Sequence, residues 1–209
     1  MSKSNPVITE SSALRPREPK AFAISHKKLA MWLFIAADAI TFAVILFAYG
    51  YLRNASTDWP TPFGKGRVIT AYVMTFILVT SSLMMVLAVR AANAQSRPKA
   101  LRWSGLAVLG GIAFAVLHIR EWIELIAAGM RLFRNPWGSE LFGAAFFSIT
   151  GLHLAHVIAG TVIIAVLAIG LQRGRYNTVD LEAWGLYWHF VDVVWMFIFP
   201  FVYLLSVRP

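Results

Sequence analysis

A chain of 209 residues that is 58% hydrophobic and only 14% charged, against about a quarter charged in soluble domains, reads as an integral membrane protein. Having no cysteine, it excludes disulfides, thiolate iron–sulfur clusters, c-type haem attachment and thiolate copper sites, and leaves any redox metal to histidine. The net charge of +9 lies in short loops between apolar runs, a pattern of membrane topology and anionic lipid rather than of nucleic-acid binding.

Residues 1–28 are polar, carry Pro6, Pro16 and Pro19 and six basic side chains, and are expected to form a cytoplasmic tail without a helix or core. The apolar run that follows is too long for a signal-peptide core and has no A-x-A cleavage site, so it is expected to be retained. Five spans are predicted, at about 29–52, 68–89, 101–119 (with an extension toward 126), 141–171 and 184–207. Each approaches the roughly 20 apolar residues that cross about 30 Å of hydrocarbon as a helix. The fold class is therefore an all-α bundle of five transmembrane helices over residues 29–209. The fourth run is longer than needed and should tilt or project. Trp59–Gly64, Arg97–Pro98, Asn135–Gly138 and Arg173–Arg175 supply the breakers between spans. With the N-terminus inside, 12 Lys and Arg fall on the cytoplasmic side and 7 on the other, which predicts a periplasmic C-terminus.

Polar residues inside the spans mark the candidate sites. Asp38 lies about 14 Å from the cytoplasmic edge of the first span at 1.5 Å per residue, as either a proton-handling group or a helix-to-helix hydrogen bond. Thr80, Ser81 and Ser82 suit close helix packing. His118 and Glu121 share a face near the outer interface and resemble half a carboxylate-bridged di-iron site. In the fourth span Gly151, Ala155 and Ala159 form a small-residue face permitting close backbone approach, and His153 and His156 share a broad face. The last span places Trp188, Asp192, Trp195 and Phe199 on one stripe, with His189 beside it. An ionised Asp192 facing lipid would cost about 2.5–3.5 kcal/mol, so it is expected to face other helices. A two-histidine haem between His156 and His189 is the sharp alternative, whereas the histidines are too few for a membrane di-iron enzyme. Structural or proton-linked hydrogen bonding is preferred, with Asp38, His156, His189 and Asp192 along one polar seam. Asp180 and Glu182, at the cytoplasmic start of the last span, are candidates for a proton antenna.

The segments TGLHLAHVIAG (150–160) and YWHFVDVVWMFIFP (187–200) closely resemble the two signature segments of the cytochrome c oxidase subunit III family of the haem–copper oxidases. The similarity continues through WLFIAADAITFA, the Ser81–Ser82 pair and HIREW, covering about residues 28–207. It implies the short bacterial form, which lacks the first two of the family's seven helices. It also implies no redox cofactor and no metal in this chain, with haem and copper held by partner subunits. The resemblance further implies packing on oxidase subunit I beside subunit II, phospholipid binding, support of proton uptake, and protection from turnover inactivation. The setting would be a proton-pumping cytochrome c oxidase of a bacterial inner membrane. A quinol oxidase or a nitric-oxide-reductase-associated complex is the alternative setting, and an autonomous membrane metalloenzyme or transporter the remote one. Carried over by position, Asp38 takes the place of the family's carbodiimide-reactive glutamate, one methylene shorter. Glu121, His153, His156, His189 and Asp192 match motif positions directly. His118 stands where many members have Gln, and Leu154 where Gly is usual.

Overall fold

The structure is a computed structural model that describes residues 25–175 and 177–207; the expected tail falls largely outside the described residues. Five helices follow one another: α1 (His26–Ala55), α2 (Lys65–Asn93), α3 (Arg97–Ala127), α4 (Leu141–Gln172) and α5 (Thr178–Ile198). All five, with α5 counted through Ser206, are long and apolar enough to cross a membrane. α1 to α4 each exceed the apolar run that predicts them, because residues at the ends extend the hydrogen-bonded ladder beyond the hydrocarbon-length core. His118–Trp122 is thus an internal turn of α3 and not its end.

Alternating chain direction puts the start of α1, the α2–α3 turn, the end of α4 and the start of α5 on a first face. The remaining ends lie on the opposite face. The α2–α3 and α4–α5 connections on the first face are tight. α2 stops as Gln95 enters the left-handed region (φ 56°), with Ser96 N–H bonding Ala91 O and Gln95 N–H bonding Ala92 O, the two crossed bonds of a Schellman cap. Gly174 (φ 70°) closes α4 in the same way through Arg175 N–H to Gly170 O and its own N–H to Leu171 O. There glycine is favoured because it has no Cβ to strain a positive φ. α5 then starts on a capping box, in which Asn177 accepts from the Asp180 N–H and Asp180 accepts from the Asn177 N–H.

α2 and α3 form the most extensive pair, α4 packs on α3, and α5 inserts against α1, α2 and α4. α1 touches mainly α5 and presents Trp32, Leu33, Phe34, Ile40, Val44 and Phe47 outward. The last span departs from a straight helix. Pro200 has no N–H to continue the i to i−4 ladder, and the chain widens into a π-helical turn at Phe199–Tyr203, then tightens into a 3-10 turn at Leu204–Ser206. This bend carries Tyr203 inward, where it is fully buried and stacks on Phe63 with ring centroids 4.9 Å apart.

The small-residue face of α4 is a correction to the sequence reading. Gly151 does lie against Trp122, but Ala155 and Ala159 are exposed. Close approach happens elsewhere, at Gly111 of α3 and Gly160 of α4, which sit on the indole of Trp188.

Candidate functional site

The polar residues gather in three places. In the first, Asp38 of α1 and His156 of α4 meet with Oδ2 and Nε2 3.1 Å apart. The contact has ion-pair distance but lacks hydrogen-bond alignment, since Asp38 Oδ2 has no aligned donor. His156 Nδ1 lies 2.8 Å from the Leu152 carbonyl. A carbonyl only accepts, so Nδ1 carries a hydrogen. Nε2 is then the nitrogen turned toward the Asp38 carboxyl. The Tyr187 hydroxyl donates to the His156 carbonyl, and the Phe42 ring packs edge-on against the imidazole.

The second place is the α2–α5 contact. Ser82 Oγ and His189 Nδ1 are 2.6 Å apart, and Asp192, one turn further on, also faces Ser82. The neighbouring stripe is bolted to α2 by indole N–H donors. Trp188 donates to Ser81 Oγ, which itself donates to the Ala107 carbonyl, and Trp195 donates to Thr75 Oγ1. The inward stripe Trp188, Asp192, Trp195 and Phe199 is therefore buried throughout.

The third place lies toward the opposite face, where α3, α4 and the π-helical turn converge. Tyr203 donates its hydroxyl to Glu121 Oε2 at 2.6 Å. His118 Nδ1 is 3.5 Å from that same oxygen. The ring of His153 stacks on Trp195, which meets His118 edge-on. Removing the phenolic donor by Tyr203→Phe is expected to cost about 1–3 kcal/mol, the penalty for leaving a buried polar atom without its partner. The check is a lower temperature at which the chain leaves its complex, by about 2–4 °C per kcal/mol.

The seam expected from sequence is thus divided. Tyr187 and Phe190 point α5 at α1 and α4, beside His156 and Phe42, whereas His189 and Asp192 lie on its α2 side. Asp38 and His156 come together, His189 and Asp192 come together, and the helix separates the two pairs. Asp180 and Glu182 sit at the first face and pair with Lys27 and Lys28 respectively, with Asn93 donating to Glu182 as well. Tyr203 and Thr75 were not among the sequence candidates. Pro200 was the available signal for Tyr203, since it makes straight helical periodicity unsafe beyond it. Among the described residues no group of three or more His, Asp or Glu side chains is arranged to hold a metal ion.

Five membrane-length helices whose intramembrane histidines and carboxylates turn toward other helices define an integral, all-helical membrane protein. A sequence model of the family "Cytochrome c oxidase subunit III" matches residues 7–207. The chain is similar to cytochrome c oxidase subunit 3 of Alkalihalophilus pseudofirmus, 32% identical over 92% of this chain and 94% of that one. It is also similar to cytochrome bo(3) ubiquinol oxidase subunit 3 of Pseudomonas aeruginosa, 33% identical over 84% of this chain and 83% of the relative. A third relative is the heme-copper oxidase subunit I+III of Aeropyrum pernix, 32% identical over 84% of this chain and 22% of that one. The chain belongs to the cytochrome c oxidase subunit III family, the third subunit of the haem–copper oxidases.

Proposed function

We propose that this chain is the cofactor-free accessory subunit of an oxygen-reducing, proton-pumping oxidase and packs directly on its subunit I. One observation carries the reading: the Aeropyrum relative is named subunit I+III, and this chain matches 22% of its length, so a subunit III sequence resides there in one polypeptide with subunit I. The apolar outer surface of α1 offers this chain an area for such packing. Haem and copper then belong to the partner subunits, subunit II among them. The membrane is a bacterial inner membrane, with the first face cytoplasmic and the C-terminus periplasmic, as the Lys and Arg bias favours. We take cytochrome c as the electron donor of the complex, because a relative matched over 92% of this chain bears that name; the ubiquinol oxidase relative supports quinol as the second reading. An affinity tag on this chain is expected to recover subunit I, and the chain separated from the complex to show no haem Soret band. A Soret band that stays with the separated chain overturns the accessory reading.

The first face also suits two supporting roles. A cavity of about 400 Å³ there combines Lys28 and Arg90 with the apolar walls of Trp32, Val86 and Leu186, a fit for a phospholipid phosphate above its acyl chains. Glu182 lines the same cavity and pairs with its Lys28, and with Asp180 it forms the proposed antenna, two carboxylates that draw protons toward the uptake entrance of the catalytic subunit. Their lysine partners keep the site close to neutral overall, so each arriving proton must displace an ammonium contact. Asp180→Asn with Glu182→Gln is expected to leave oxygen consumption near normal at acidic pH, where bulk protons suffice, and to slow it progressively as pH rises. Parallel pH profiles for native and substituted complexes would reduce the two residues to ties between α1, α2 and α5.

A further inference from the structure

The cluster around Glu121 is short of partners that protein can supply. Glu121 is 3% exposed, His118 and His153 are fully buried, and among the described residues Glu121 Oε1, both ring nitrogens of each histidine and Trp122 Nε1 have no hydrogen-bond partner. Each imidazole presents at least one N–H that needs an acceptor. Buried polar atoms almost always find partners, with internal water satisfying what side chains do not. So many orphaned atoms on adjoining turns of α3 and α4 do not describe a dry core.

A second observation is the space that adjoins Glu121. Between the first turns of α2 and the end of α3 lies a cavity of about 400 Å³ whose walls include Arg67, Thr70, Leu117, Arg120, Glu121 and Glu124. One water takes about 30 Å³ in the liquid, so the space holds several. Arg120 Nε and Glu124 Oε1 satisfy each other at 3.1 Å, Arg67 remains as the cation of the α2 wall, and Glu121 closes the inner end. On the far side of Glu121 are His118 on its own helix, His153 on α4, and Tyr203 from the π-helical turn, which occupies only Oε2.

We propose that this cavity is a water-filled inlet from the opposite face, and that its waters pass Glu121 Oε1 to reach the imidazoles of His118 and His153. The ligand is water, and Glu121 is the residue through which the aqueous phase touches the interior of the bundle. The Asp38–His156 pair, on the α1 side of α5, is not part of this inlet.

The chain has no cysteine of its own, so a single introduced thiol reports its surroundings. Reaction requires the thiolate, which forms in water and not in hydrocarbon. Leu117→Cys and Glu121→Cys probe the inlet, and Val116→Cys, whose native side chain is exposed on the lipid side of the same helix, serves as control. The assembled complex in lipid nanodiscs, with both faces accessible, is treated with a charged methanethiosulfonate, and this chain is then separated and weighed. Leu117→Cys and Glu121→Cys are expected to gain the label and Val116→Cys to remain unlabelled. Leu117→Cys keeps the Glu121–Tyr203 bond and decides the matter if Glu121→Cys does not assemble. A structure of the complex that shows ordered solvent is expected to place water within hydrogen-bond distance of Glu121 Oε1 and His118. An unlabelled Leu117→Cys, or a dry chamber at His118, overturns the proposal.

Discussion

Gly111→Val is expected to remove this chain from the assembled oxidase. A Cβ on Gly111 would lie 2.2 Å from Thr161 Oγ1 and 2.8 Å from Trp188 Cη2, closer than non-bonded atoms approach, and these neighbours belong to α4 and α5. Neither has room to yield. Thr161 is tied to the Val157 carbonyl and Trp188 to Ser81, and the Trp188 ring is backed by Gly160, where a Cβ would meet it at 2.9 Å. The indole is clamped between two glycines, so the new side chain must separate three helices together. Ordinary overpacking costs about 1–3 kcal/mol through local adjustment, and a clash against a clamped ring should exceed that range. Gly105→Val is the control: it lies on the same helix and carries the same β-branched penalty, and nothing stands within 4 Å of its Cβ position. The ratio of this chain to the other oxidase subunits in purified complexes should collapse for Gly111→Val and hold for Gly105→Val. Equal ratios would contradict the packing of Trp188 described above.

The second large effect concerns Asp38 and His156, where each single apolar substitution should do more harm than the pair. Asp38→Leu takes the carboxyl away from His156 Nε2, and His156→Leu takes the imidazole away from a carboxyl at membrane depth. Breaking a buried pair from one side costs about 3–5 kcal/mol, whereas replacing both members by well-packed apolar residues is often neutral. The two side chains are 13% and 16% exposed, so the lower end of that range applies. The observable is the temperature at which the chain leaves the complex: strongly lowered for each single variant and largely restored for Asp38→Leu with His156→Leu. A double variant whose loss equals the sum of the singles would show that the two residues act separately. Restored stability with lost proton uptake would assign the pair a role in function.

The length and apolarity of five runs determined five membrane helices, because hydrocarbon thickness and the 1.5 Å helical rise leave few other solutions. Helical periodicity also put Trp188, Asp192, Trp195 and Phe199 on one inward stripe, since that relation needs only one element. The signature segments were enough to indicate the family to which the chain belongs. What the sequence left open were relations between elements. Small residues at Gly151, Ala155 and Ala159 permitted close approach without saying whether a helix would come, and in the chain itself Ala155 and Ala159 stay exposed. Asp38, His156, His189 and Asp192 all lay at membrane depth, yet the rotation of α5 set Asp38 with His156 and turned His189 and Asp192 to Ser82 on its other side. Tyr203 reaches Glu121, 82 positions away, only because Pro200 interrupts the ladder and the π-helical turn redirects the side chain. Hydropathy and periodicity are properties of one segment and survive without its neighbours. Pairing across the bundle depends on helix rotation, crossing and bends, which the packing of all five helices fixes together.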